Sequence, residues 1–249
     1  MNQDNIKRKA DKVAIVGFAP SWSETPFNSK SEECEIWCLN EFYKVGKTVP
    51  AFRADRWFEI HDRSSKSKAT PEHQDFLKKC PCPVFMWKEY EDIPNSRRFP
   101  KDEIIQYFEE KGYSGARYFT NSISWFIAMA IYEGFKEISV LGVDMATDSE
   151  YGWQRPSAEY WIGLAEGMGI KLHIPATSDL LKCTQLYGFE SNNQNRCWIK
   201  TQIGELGKRT QQFAQQQAQA QGAAHQAEIA QAEIRGAKQA YSEILKRTQ

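Results

Sequence analysis

Four apolar residues run unbroken from Val13 to Val16, and Gly17-Phe18-Ala19-Pro20-Ser21 follow directly. So short a run, ending on a glycine, reads as a strand buried on both faces, and such strands belong to parallel sheets covered by helices. Gly17 lets the chain turn sharply, and Pro20-Ser21 suits the opening of a helix or of a phosphate-binding turn. An open α/β sheet turns backbone N–H groups toward phosphate in this way. The stretch is neither the three-glycine dinucleotide fingerprint nor a P-loop, whose lysine is absent.

The pattern recurs along the chain. Glu35 to Leu39 reads as a second strand ending at Asn40, and Arg56 to Ile60 as a third ending at His61-Asp62. Pro83 to Met86 reads as a short strand, Glu137 to Leu141 as the central one, leading into Gly142-Val143-Asp144, and Ile170 to Ile174 as the last. Helices are expected between them. Thr70-Pro71 opens one, Lys101 to Lys111 forms an amphipathic one, and Ile123 to Glu133 is apolar all round and therefore buried. Pro156 is expected to start another, and residues 94–100 to form a basic loop. Strands alternating with helices give an α/β, Rossmann-like, mainly parallel sheet with helices on both faces.

Length and charge bound the rest. The 249 residues suit one domain over 12–199, a flexible arm over 1–11 and an appendage over 200–249. Lys and Arg number 32, as do Asp and Glu, so no net field recruits nucleic acid, and Arg97-Arg98 is too short a basic cluster to do so. No apolar run approaches the ~20 residues that span a bilayer, and no signal-peptide core follows the N-terminus, so a cytoplasmic location without membrane partners is the expectation. The six cysteines then read as reduced thiols. Cys34 and Cys38 share a strand face but stand ~13 Å apart, and Cys80-Pro81-Cys82 is not a zinc knuckle, so no metal site is assigned.

From Gln211 to Gln239 the chain is rich in Gln and Ala, both good helix formers. A helical tail of up to ~70 Å is expected from about residue 200, interrupted near Gly222 and Gly236. Its apolar residues are sparse and no sustained a/d heptad is present, so a strong coiled coil is not indicated. It reads either as a solvated, partly helical tail or as an arm for homo-oligomerisation or docking.

Ligands of such sheets bind outside the C-terminal strand ends. There the chain offers Gly17, Pro20 and Ser21, then Asn40, His61 with Asp62, Asp144, and Thr177 to Asp179. His61 is the acid–base candidate, since a near-neutral imidazole can take a proton from an attacking hydroxyl; otherwise it is a strand-end histidine bonded to backbone. Neighbours on a strand point apart, so Asp62 need not be its partner. Asn121-Ser122 opens the buried helix, where free N–H groups attract anions, or Asn121 is only its cap. The polar loop from Asp144 to Arg155, with Asp148 and Glu150, suits binding. Asp144 can hold a sugar hydroxyl, a base or a divalent cation; Arg155 can hold a phosphate or pair with Glu159.

Gly17-Phe18-Ala19-Pro20-Ser21, the strand ending at Asn40, and Gly142-Val143-Asp144 together resemble the Rossmann-like sialyltransferase and DUF115-type group, whose first loop is typically Gly-x-Gly-Pro-Ser; Ala19 stands at its second glycine. Tyr118 to Trp125 and Gln154-Arg155-Pro156-Ser157 with Glu159-Tyr160 are similar to uncharacterised phage-encoded proteins of this type. The resemblance spans about residues 12–182. It implies a transferase that uses an activated nucleotide donor, a nucleotide sugar above all, with Gly17, Pro20, Ser21 and Asn40 on the nucleotide. The alternatives are a module that binds and sequesters a nucleotide, and a phage accessory or structural protein acting through its tail.

Overall fold

The structure, a computed structural model, describes residues 7–62, 70–145, 151–183, 187 and 193–247. The chain divides into two compact units, Met1–Lys182 and Cys183–Gln249. In the first, the strands are β1 Lys12–Val16, β2 Glu35–Leu39, β3 Arg56–Phe58, β4 Val84–Met86, β5 Ser96–Arg98, β6 Glu137–Leu141 and β7 Lys171–His173. They form one sheet in the order β5-β4-β3-β2-β1-β6-β7. Every neighbouring pair is parallel, with Ile15 set between Trp37 on β2 and Val140 on β6. The fold is α/β and Rossmann-like, as the alternation of elements predicts. The chain steps outward from β1 to β5, then crosses to the other side of β1 for β6 and β7. The order therefore reverses between β1 and β6.

Alternation along β1 feeds two cores. Val13 and Ile15 face one layer with α3 Lys101–Glu110, α4 Ser122–Tyr132 and α5 Tyr151–Gly167. Ala14 and Val16 face the other, with α1 Tyr43–Gly46 and α2 Pro71–Lys79. α4 is enclosed on nearly every side, because Phe126 to Ile131 are all buried.

Three element expectations are corrected. Residues 96–98 form the edge strand β5 rather than loop; it pairs through main chain (Val84 opposite Ser96), which its Arg97-Arg98 sequence does not signal, and charged side chains suit an edge. α5 begins at Tyr151, so Pro156 lies inside the helix and not at its first position. A proline there removes one helical N–H and crowds the preceding turn. In the same turn the carbonyls of Trp153 and Gln154 accept from side chains, Thr120 Oγ1 at 2.9 Å and Asn121 Nδ2 at 2.7 Å. In the second unit, α6 Asn193–Arg247 passes Gly222 and Gly236 without interruption.

Residues 1–6 lie outside the described residues. Beyond them the N-terminal stretch is held: Arg8 donates to the Gly134 carbonyl, Ala10 is buried, and the Asp11 carbonyl accepts from the Lys136 amide at 2.7 Å. Among the described residues, no helix is long and apolar enough to cross a membrane.

Candidate functional site

Because all seven strands run the same way, the polar strand ends meet at one edge of the sheet. At its centre the loops after β1 and β6 grip each other. The Gly17 amide donates to the Leu141 carbonyl and the Ala19 amide to the Gly142 carbonyl, both at 2.8 Å. The Gly142 amide donates to the buried Ser21 hydroxyl at 2.9 Å. A methyl at Gly17 would stand 2.3 Å from the Gly142 oxygen, and one at Gly142 would stand 2.3 Å from the Gly17 oxygen. Gly17 and Ser21 thus hold the two loops together, which is more than the turn-making the sequence suggests for Gly17. In the loop after β1, the Phe18 and Ser21 amides have no backbone partner among the described residues. Pro20 opens a 3-10 turn, Pro20–Glu24.

Asn40 takes a left-handed backbone, φ 51°, which Asn tolerates better than most side chains. Its amide donates to Phe58 O at 2.9 Å and its carbonyl accepts from Trp57 Nε1 at 3.0 Å, so it ties the ends of β2 and β3.

His61 stands two strands from β1, roughly 10 Å along the edge. Its Nδ1 lies 2.8 Å from Glu59 Oε1. The side chains two apart along extended backbone share a face, which makes Glu59 the orienting carboxylate for His61. Glu59 is 1% exposed, and its other oxygen lies 2.7 Å from Nε2 of His73, which is fully buried on α2. An ionised Glu59 accepts from both rings. In a neutral His61 with its proton on Nδ1, toward Glu59, Nε2 is the acceptor nitrogen. His61 is 40% exposed, open to a substrate. Nothing in the sequence pattern singles out His73 or Glu59, beyond the placing of an acid two positions before His61.

Asn121 caps α4, its Oδ1 accepting from the Ser124 amide at 2.8 Å, and its Nδ2 holds α5. Ser122 is the first residue of α4, whose N-terminus faces the same edge as the strand ends. Ser157 fastens the two helices further, 2.8 Å from Ser124 Oγ and 2.7 Å from the Tyr118 carbonyl. The segments around Asn121 and Gln154 are therefore one knot. Arg155 pairs with Glu159 at 2.8 Å and donates through Nη2 to the Lys182 carbonyl at 2.6 Å, which anchors the segment after β7. Asp148 and Glu150 lie outside the described residues.

Asp144 and Asp179, beyond β6 and β7, form a carboxylate pair. Asp144 also accepts from the Asp179 amide at 3.3 Å. His61 and Asp144 are three strands apart and do not meet.

No family model matches the sequence, and no curated protein matches it. Among solved structures, the chain is similar to the sialyltransferase CstII from Campylobacter jejuni in complex with the substrate analogue CMP-3FNeuAc. Identity is 16% and the TM-score 0.44, over 66% of this chain and 79% of that one. It is also similar to the monofunctional α-2,3-sialyltransferase Cst-I from the same organism, at 14% identity and a TM-score of 0.47, over 70% of this chain and 78% of that one. The fold assignment stands on strand order and register.

Burial, then the neighbouring Asp144, pushes the Asp179 carboxyl up to about 6, with Arg155 pulling the other way. The folded protein holds this proton more tightly than the unfolded chain. This group's contribution to stability is therefore fully present below the ordinary Asp value near 4 and is lost as pH rises through about 6. Asp179→Asn is expected to raise the melting temperature at pH 8 and leave it nearly unchanged at pH 4, read by calorimetry at both.

Among the described residues, no group of three or more His, Cys, Asp or Glu is placed to hold a metal ion. Cys80 and Cys82 are buried, their sulfurs 3.6 Å apart. Burial pushes the Cys34 thiol up to about 11 and that of Cys38 well above its ordinary value. Neither is a reactive thiolate at neutral pH.

Proposed function

We propose that the chain is a transferase using an activated nucleotide donor, specifically a nucleotide-sugar-dependent glycosyltransferase. The observation that carries this reading is the His61–Glu59 pair, a half-exposed histidine 2.8 Å from a buried carboxylate at the ligand edge of a parallel sheet. In this reading His61 Nε2 takes the proton from an acceptor hydroxyl as its oxygen attacks the anomeric carbon of the donor. The bond from that carbon to phosphate breaks, and the nucleotide leaves with the electron pair. The amides of Phe18 and Ser21, the α4 N-terminus with Asn121 and Ser122, and Asn40 bind the nucleotide. Asp144 orients donor or acceptor, and Arg155, through the guanidinium nitrogen not given to Glu159 or Lys182, offsets charge on the leaving phosphate. The donor class comes from the resemblance of the Gly17–Ser21 and Gly142–Asp144 segments to sialyltransferases.

A thermal-shift screen of nucleotides and nucleotide sugars, with and without a divalent cation, is the direct test. A true donor at 100 times its dissociation constant adds about 2.7 kcal/mol of stability. His61→Ala is expected to lower the transfer rate about 10²-fold or more while donor binding persists. Donor binding by wild type with no turnover of any acceptor would instead mark a sequestering protein, and silence across the whole screen would remove the reading.

A further inference from the structure

Six of the large apolar side chains left exposed on α6 are Ile199, Ile203, Leu206, Phe213, Ile234 and Tyr241, from 37% to 74% accessible. Scattered surface apolar residues need no explanation, but these six fall on one line. Steps of four and three alternate from 199 through 203, 206, 210, 213, 217, 220, 224, 227, 231, 234 and 238 to 241, the spacing that keeps a seam facing a partner helix. Ala220, Ala224 and Ala227 fill its middle. The heptad escapes notice in the sequence because its central layers are alanine and glutamine rather than leucine.

We propose that α6 pairs with the α6 of a second copy of this chain as a parallel, in-register, two-stranded coiled coil. The seam consists of two alternating sets of positions, and their compositions decide the occupant and its direction. One set, at 199, 206, 213, 220, 227, 234 and 241, is wholly apolar. The other, at 203, 210, 217, 224, 231 and 238, carries every polar member: Thr210, Gln217, Gln231 and Lys238. In a parallel, in-register pair each position meets its own copy, so the Gln217 and Gln231 amides bond to their counterparts and apolar layers stay apolar. An antiparallel pair would set the two sets against each other and bury those amides on apolar side chains without partners. Polar residues confined to one set are also what fixes register and copy number in such pairs. A second consideration is length. A helix of 55 residues that includes Gly204, Gly207, Gly222 and Gly236 gains little from intrinsic propensity and draws its stability from packing one face.

The test uses the full chain. Light scattering coupled to size exclusion is expected to give twice the chain mass at micromolar concentration. Phe213→Glu, on the seam, halves that mass and reduces the helical signal at 222 nm. Ile229→Glu, equally apolar and exposed but off the seam, leaves both unchanged. In I234C, mild oxidation yields a peptide linked to its own copy through position 234, which only the parallel register allows. A wild-type monomer, a trimer, equal behaviour of Phe213→Glu and Ile229→Glu, or no 234-to-234 link would each overturn the proposal.

Discussion

Arg56→Met is expected to destabilise the protein by about 3–5 kcal/mol, a large fraction of the roughly 5–15 kcal/mol that stabilises an ordinary domain. Arg56 is 1% exposed at the start of β3. Its Nε lies 2.9 Å from Glu35 Oε2 on β2, and its Nη1 2.7 Å from Glu133 Oε1 at the end of α4. The guanidinium also lies over the Trp37 ring, 4.9 Å from its centroid, while Trp37 Nε1 donates to Glu35. Methionine fills much of the space and keeps the apolar stem contacts. It leaves Glu35 charged and equally buried with only neutral donors, and that uncompensated charge is where the cost lies. Burial already pushes the Glu133 carboxyl above its usual range against the pull of Arg56, so losing the arginine drives that group further toward its neutral form. The midpoint of urea unfolding reads the loss. Arg56 stands at the N-terminal end of its strand, opposite the candidate site, so folded Arg56→Met protein should bind a nucleotide donor as wild type does. A double variant, Arg56→Met with Glu35→Leu, should recover much of the difference, because it removes both charges together. An unchanged midpoint in Arg56→Met would mean that the network carries no weight.

That network marks the limit of what sequence reading reaches. The strands were legible because each is a short apolar run closed by a polar or glycine residue, and α4 because it is apolar all round. Both are local patterns. Glu35 and Arg56 sit inside runs that read as apolar, and nothing local shows that they face each other across adjacent strands. The same applies at the site. Convergence of Gly17, Asn40, His61 and Asp144 on one edge follows from parallel strands alone, so it was available in advance. The partner of His61 is not identified by the sequence: alternation removes Asp62 as a necessary partner, and Glu59, two residues back, reads only as part of the strand. His73 reaches Glu59 only because α2 packs over β3, and no spacing in the chain expresses that. Arg155 likewise was read as a phosphate ligand or a Glu159 partner, and the bond to the Lys182 carbonyl depends on where the chain goes after β7.

Gly17→Ala is expected to cost about 3 kcal/mol and to weaken nucleotide binding at the same time. The added methyl would lie 2.3 Å from the Gly142 oxygen, 3.1 Å from its carbonyl carbon and 3.1 Å from Val143 Cγ2, and none of these is the free end of a flexible side chain. The loops after β1 and β6 must part, and overpacking of this kind costs about 1–3 kcal/mol before any bond is lost. Parting them strains three buried hydrogen bonds at once, from Gly17 to Leu141, Ala19 to Gly142 and Gly142 to Ser21. Each contributes about 1 kcal/mol. Gly142→Ala should cost at least as much, since position 142 also has φ 63°, where a side chain is strained. Ser21→Ala separates the terms. It introduces no clash and removes only the acceptor of the Gly142 amide, for about 1–2 kcal/mol. The ordering Gly142→Ala ≥ Gly17→Ala > Ser21→Ala in unfolding midpoint would show that the two glycines are required by the approach of two backbones. If Gly17→Ala keeps its stability and loses only nucleotide affinity, the glycine serves the ligand, and the grip between the loops is incidental to it.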